Sequence, residues 1–175
     1  MKFLISAGHG GSDPGNTASG RKEADIAVEL RNIIAGKLRA NGHDVATDGN
    51  LRDNFTLVDA IKLIVSGRTC IEIHTNAGPP TAQGVEVIGE TKHAKLAKNI
   101  AKGIADVLGT SLRRDKGFFD YAQLVREQGR TLGFVKKGGI IVETFFQSNA
   151  KELAAYDAKK WLVASAIVKA LEDSK

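Results

Sequence analysis

The chain has one cysteine, Cys70, in 175 residues, so no disulfide can form within it, which suits synthesis in a reducing cytosol. Aromatic residues are sparse at 6%, and no block of Lys and Arg is longer than two. Nucleic acid is therefore a poor fit as a partner. The formal charge of +5 points instead to a membrane surface or an acidic polymer such as a cell wall. No apolar run approaches the about 20 residues needed to span a bilayer, and no transmembrane segment is expected. The start, Met1–Ser6, is too short for a secretory signal because His9 and Asp13 interrupt it. The expectation is synthesis in a bacterial cytoplasm without a signal peptide. Internal repeats, low-complexity tracts and linkers are missing as well. With 42% hydrophobic and 26% charged residues, the length allows one well-filled core and not two comfortable ones. Residues 1–175 are expected to form a single domain, working as a monomer.

What is present is organised around Ile5-Ser6-Ala7-Gly8-His9-Gly10-Gly11-Ser12-Asp13-Pro14-Gly15-Asn16. An apolar strand breaks there into glycines, with one histidine at the break. Glycine can let backbone N–H groups close on a phosphate. However, no Gly-x-Gly-x-x-Gly is present and no Lys-Ser/Thr pair follows at P-loop spacing. The other use of glycine is to clear space around a side chain that coordinates something.

Strand patterns are predicted at Lys2–Ala7, Asp44–Thr47, Thr69–Thr75, Gly84–Gly89 and Gly139–Phe146, and helical ones at Lys22–Asn41, Phe55–Val65, Lys92–Leu108 and Asp157–Leu171. Arg113–Lys137 is polar and glycine-punctuated, with a short helix expected around Tyr121–Glu127. Alternating strands and helices imply an α/β fold with a twisted, mixed and largely parallel sheet of about six strands, helices covering both faces.

Ligands of such sheets bind beyond the carboxyl ends of the strands. His9 follows the first strand, His74 ends the third, Glu143 lies near the end of the last, and Glu23 opens the first helix at that same edge. Two histidines and a carboxylate are a Zn²⁺ ligand set that leaves one position open. A further, unligated carboxylate then serves as proton acceptor and donor. Glu143 fits, because the apolar Ile140-Ile141-Val142 would hold it rigidly in surroundings that raise its pKa. Glu72 shares a strand face with His74 and is the rival ligand, or else the acid that orients the imidazole. His43 and His93 are expected to be ordinary polar histidines, Cys70 a small buried residue and Trp161 a core residue. Arg113-Arg114 and Lys136-Lys137 are expected to be solvated charge, with contact to an anionic substrate as the lesser alternative.

These residues resemble a family. Ser6–Gly15, then Glu23, then Ile73-His74-Thr75-Asn76-Ala77, then Val142-Glu143-Thr144-Phe145-Phe146-Gln147-Ser148-Asn149 are similar to the zinc-dependent N-acetylmuramoyl-L-alanine amidases, the catalytic domains of bacterial autolysins and phage endolysins. The resemblance implies zinc held by His9, Glu23 and His74, with Glu143 as the catalytic carboxylate. The implied substrate is peptidoglycan, cut between the lactyl group of muramic acid and L-alanine. The chain departs from the family pattern at Phe145, at Gly138-Gly139 and in Arg113–Lys137. Without a wall-binding module it looks more like an endolysin that reaches the cell wall or periplasm after release. The alternatives from sequence are a zinc peptidase cutting within the stem peptide, a wall-binding module without catalysis and, more distantly, a phosphate- or nucleotide-binding protein.

Overall fold

A computed structural model describes residues 1–174. The strands are β1 (Lys2–Ala7), β2 (Asp44–Thr47), β3 (Thr69–Asn76), β4 (Glu86–Gly89), β5 (Phe118–Asp120) and β6 (Ile140–Phe146). The helices are α1 (Glu23–Ala40), α2 (Leu57–Lys62), α3 (Ala94–Leu108), α4 (Tyr121–Gln128), α5 (Gly133–Lys136) and α6 (Ala150–Glu172). All six strands join one sheet in the order β2-β1-β3-β6-β4-β5. From β2 to β6 the strands run parallel; β4 is antiparallel to β6, and β5 is parallel to β4. The carboxyl ends of β1, β3 and β6 therefore share one rim with the start of β4 and the loop before β5.

Alternate residues of each strand face different cores. Phe3, Ile5, Ile71, Ile73, Ile140 and Val142 meet the apolar stripes of α1, α3 and α6. Leu4, Cys70, Ile88, Phe119 and Ile141 meet Leu124 of α4 and Phe134 and Val135 of α5. Both faces are covered, which is why the central strands read as unbroken apolar runs rather than alternating ones. No helix among the described residues is long and apolar enough to cross a membrane.

The expected elements are present with shifted ends. The first helix stops before Gly42, whose φ of 82° suits glycine alone. The second is much shorter than Phe55–Val65: Thr56 caps it and it ends at Lys62. The last begins seven residues before Asp157, at Ala150, because Asn149 accepts hydrogen bonds from the backbone N–H groups of Lys151 and Glu152. That longer helix turns a different stripe inward. Tyr156, Val163, Ile167 and Leu171 are buried, while Trp161, expected in the core, is 60% exposed. Arg113–Lys137 supplies β5, α4 and α5. The helix expected near Tyr121 is capped by Asp120, which accepts from Ala122 N and Gln123 N.

One buried ion pair ties the rim to the core. Arg31 Nη1 of α1 donates to Asp48 Oδ1 at 3.0 Å, with both side chains fully buried. Asp48 also accepts from Ser6 Oγ at 2.7 Å and from Ala7 N at 3.1 Å, at the last residues of β1. The second terminal nitrogen of Arg31 donates to Asp53 O at 2.9 Å. Removing one partner strands a charge in the core, so Arg31→Ala should lower unfolding free energy by about 3–5 kcal/mol. A urea titration followed by circular dichroism measures this; a loss below about 1 kcal/mol would show that the pair behaves like an exposed one.

Candidate metal centre

The glycine loop sets the site through its backbone. His9 has φ of 65° in the left-handed region, and Gly10 and Gly11 follow at 133° and 61°. A non-glycine residue holds that conformation only where its surroundings enforce it. Here Asn54 does so: its Nδ2 donates toward the carbonyl oxygens of Ala7, Gly8 and His9 at 3.1, 3.2 and 2.8 Å. The loop's glycines also clear room. A Cβ on Gly8 would lie 2.2 Å from the His74 ring, and one on Gly15 would lie 2.6 Å from His9 and 2.9 Å from Glu23 Oε2. The glycines thus make space for coordinating side chains instead of cradling an anion.

Into that space come His9, Glu23 and His74, each offering a ligand atom, all within 4.8 Å of one another. Glu23 opens α1 and is 4% exposed. Its Oε2 lies 3.1 Å from His9 Nε2 and its Oε1 lies 3.2 Å from His74 Nδ1. The same carboxylate accepts from Asn16 N at 3.1 Å and Thr75 N at 2.9 Å. Each imidazole is gripped from behind by another acid. Asp13 Oδ2 lies 2.9 Å from His9 Nδ1, and Glu72 Oε2 lies 3.2 Å from His74 Nε2. A carboxylate there only accepts, so each remote nitrogen carries hydrogen and the inward nitrogen is left to bind a metal. Glu72, the rival ligand from sequence, faces the far side of His74 and stands outside the converging set. Asp13 was present in the motif without an assigned role; its signal is a carboxylate four residues after a loop histidine.

The donor set fits zinc. Two imidazole nitrogens and a carboxylate oxygen converge from three elements, a set that would leave a bound zinc one position for water or substrate. Charge in the metal-free site is arranged accordingly. Burial alone would raise the pKa of Glu23, but contacts with His74 and His9 outweigh it and hold the carboxyl far below the usual range. For His74, burial alone would lower the pKa; Glu23 and Glu72 outweigh it and raise it well above 6.5. His9 is raised chiefly by its contact with Glu23.

Glu143 does not join the cluster. It pairs across the sheet with His74 on one side and Glu86 on the other. Its Oε2 is sealed from solvent and has no hydrogen-bond partner among the described residues. Burial, opposed by His74, pushes its pKa up to about 7. Just beyond it the β3–β6 register slips between His74 and Asn76, and Thr144 Oγ1 donates to His74 O at 2.8 Å. This bulge bends the end of β6 at the site. A groove of about 320 Å³ opens beside the cluster, lined by His9, His74, Leu57, Leu132 and Phe134. Gln147 closes the other flank, accepting from Thr75 Oγ1 at 2.8 Å and donating to Arg21 O at 2.6 Å. His43 pairs with Glu172 at 2.9 Å and His93 lies at the opposite end of the sheet, so neither enters the site.

Two outcomes follow for metal loading. Contacts with Glu23 and Glu72 raise the His74 pKa, so protons compete with zinc for its imidazole and zinc should bind more tightly as pH rises. Calorimetry in buffers of different ionisation heat should register at least one proton released; none released would contradict the assignment. Glu72→Gln should weaken zinc binding about 10–100-fold, measured by competition with a chromophoric chelator.

The chain matches the family model of N-acetylmuramoyl-L-alanine amidases over residues 3–173. A Neisseria meningitidis chain provisionally described as an N-acetylmuramoyl-L-alanine amidase is 36% identical and superposes with a TM-score of 0.86, covering 98% of this chain and 93% of that one. The uncharacterized Bacillus subtilis protein YqiI is 27% identical over 117 residues, which are 65% of this chain and 57% of YqiI. The Bacillus subtilis N-acetylmuramoyl-L-alanine amidase LytC is 25% identical over 158 residues, or 86% of this chain and 30% of LytC. The chain thus spans 57% and 30% of these two curated relatives. With a family model matched almost end to end and a metal-type cluster on the expected rim, this chain belongs to the N-acetylmuramoyl-L-alanine amidase family.

Proposed function

We propose that this chain hydrolyses the amide bond between the lactyl group of N-acetylmuramic acid and L-alanine in peptidoglycan, using Zn²⁺ held by His9, Glu23 and His74. The observation carrying the proposal is the convergence of three ligand atoms within 4.8 Å beside a buried, unpartnered carboxylate oxygen. Membership of the amidase family supports the choice of bond.

Zinc, when bound, supplies Lewis-acid polarisation of the substrate carbonyl and lowers the pKa of water. The protein's own groups do the rest. Glu143, with a pKa near 7, takes a proton from the attacking water and returns it to the departing alanine nitrogen. A pKa near the working pH suits both halves of that transfer. Asp13 and Glu72 fix the tautomers and ring planes of His9 and His74. Leu57, Leu132 and Phe134 form an apolar wall that excludes water from one side of the groove. The chain works at the cell wall, in the manner of an endolysin or autolysin, and its basic charge assists its approach to an anionic wall at low salt.

Digested peptidoglycan analysed by mass spectrometry tests the bond cut. Free stem peptides beginning at L-alanine, together with muramic acid bearing a free lactyl carboxylate, are expected. New termini inside the stem would mean a peptidase instead. Glu143→Gln should reduce turnover about 10²–10⁴-fold while zinc content stays at the wild-type level. Loss of zinc together with activity would take Glu143 out of the proton-transfer role.

A further inference from the structure

Beyond Glu143, away from the metal cluster, the rim carries two arginines that no catalytic role uses. Arg113 and Arg114 lie in the loop before β5, and each is held on two sides. The Arg113 guanidinium carbon lies 4.9 Å over the Phe146 ring, and that of Arg114 lies 4.2 Å over Phe119. Both turn Nε toward one acid: Glu86 Oε2 lies 3.4 Å from Arg113 Nε and 3.5 Å from Arg114 Nε. Glu86 is itself 7% exposed and accepts from Asn76 Nδ2 at 2.8 Å through its other oxygen. The loop is fixed as well. Arg113 N donates to Val85 O at 3.0 Å, Gly117 N donates to Arg113 O at 2.7 Å, and Arg114 and Lys116 both sit at φ of 53°.

Charge does not balance within this group. One carboxylate, Glu86, faces two guanidinium ions, and Asp115, the next residue in the chain, is occupied by Lys98 at 2.6 Å. With Nε spent on Glu86, the terminal nitrogens of both arginines have no hydrogen-bond partner among the described residues, and the side chains are 34% and 36% exposed. Stacking and the Nε contacts have already cost the arginines their rotamer freedom, so a ligand that meets the free edges loses little more. Planar paired nitrogens match the two oxygens of a carboxylate. Glu86 and Glu143 are cross-strand partners, about 5 Å apart at Cβ. The free edges beyond Glu86 therefore lie within about two to three residues of extended peptide from Glu143.

Resting on the amidase reading, we propose that Arg113 and Arg114 form a receptor for a carboxylate of the stem peptide, making an acidic stem the preferred substrate. The arginines act on substrate choice, with Glu86 and the two phenylalanines positioning them.

The test compares a muramoyl tripeptide with its peptide carboxylates free against the same compound with every one converted to an amide. The zinc-loaded wild type should favour the free acid by about tenfold or more in kcat/KM, the scale of one hydrogen-bonded charge contact. Arg113→Ala/Arg114→Ala should bring that ratio close to one, and raised salt should compress it in the wild type. Arg114→Ala alone, checked for folding by its thermal melt, should lower the ratio partway and serves if the double variant does not fold. Equal handling of both compounds by the wild type would overturn the proposal, as would an unchanged ratio in a folded variant. Calorimetry on the Glu143→Gln protein separates the two readings. If the zinc-loaded wild type cleaves neither compound, the amidase reading falls, while tighter binding of the free acid to the variant still upholds the receptor and equal binding removes it.

Discussion

Both oxygens of the Glu23 carboxylate are claimed twice, once by an imidazole and once by a backbone N–H. That one acid joins the glycine loop after β1, the first turn of α1 and the end of β3. A charge buried this deeply is tolerable only where every lone pair is met. The site's geometry is therefore also a condition for folding the rim. Its place at the start of α1 adds the favourable end of the helix dipole. Contacts with His74 and His9 hold the Glu23 carboxyl in its charged form against the cost of burial.

Around that acid the support is graded from inside outward. Asp13 and Glu72 hold the remote nitrogens of the two imidazoles. Asn54 holds the left-handed turn at His9, and Asp48 with Arg31 pins the last residues of β1. Gly8 and Gly15 contribute by lacking a Cβ where the ligands meet. These are polar side-chain contacts, to other side chains and to the backbone, and they give a loop with little apolar surface the rigidity that packing supplies elsewhere.

The rim is chemically lopsided across Glu143. On the side of α2 and α5 the groove is walled by Leu57, Leu132 and Phe134. Toward β4 and β5 stand Glu86, Arg113 and Arg114, with Arg130 within electrostatic reach of Glu143. An apolar wall keeps water away and raises a carboxyl's pKa, whereas a basic wall attracts acidic groups. A substrate that is neutral at one end and acidic at the other would be oriented by that difference.

The sequence by itself determined the α/β class and the placing of His9, Glu23, His74 and Glu143 on one rim, because each of these follows from a residue's place on its own strand or helix. Local patterns carry that much: an apolar run, a glycine break and a polar residue at a strand's end are read within a few positions. The sequence misjudged Trp161, since the last helix carries apolar residues on more than one face and only packing against the sheet and its neighbouring helices decided which face turned inward. Only the tertiary structure decided that Glu72 stands behind His74 instead of within the converging set, that Arg31 is buried against Asp48, and that Arg113 and Arg114 share Glu86. These are contacts between segments far apart in the chain, or a choice between two orientations of one side chain. Neither leaves a periodic trace in sequence; both are settled by which buried charges find partners once the sheet has closed.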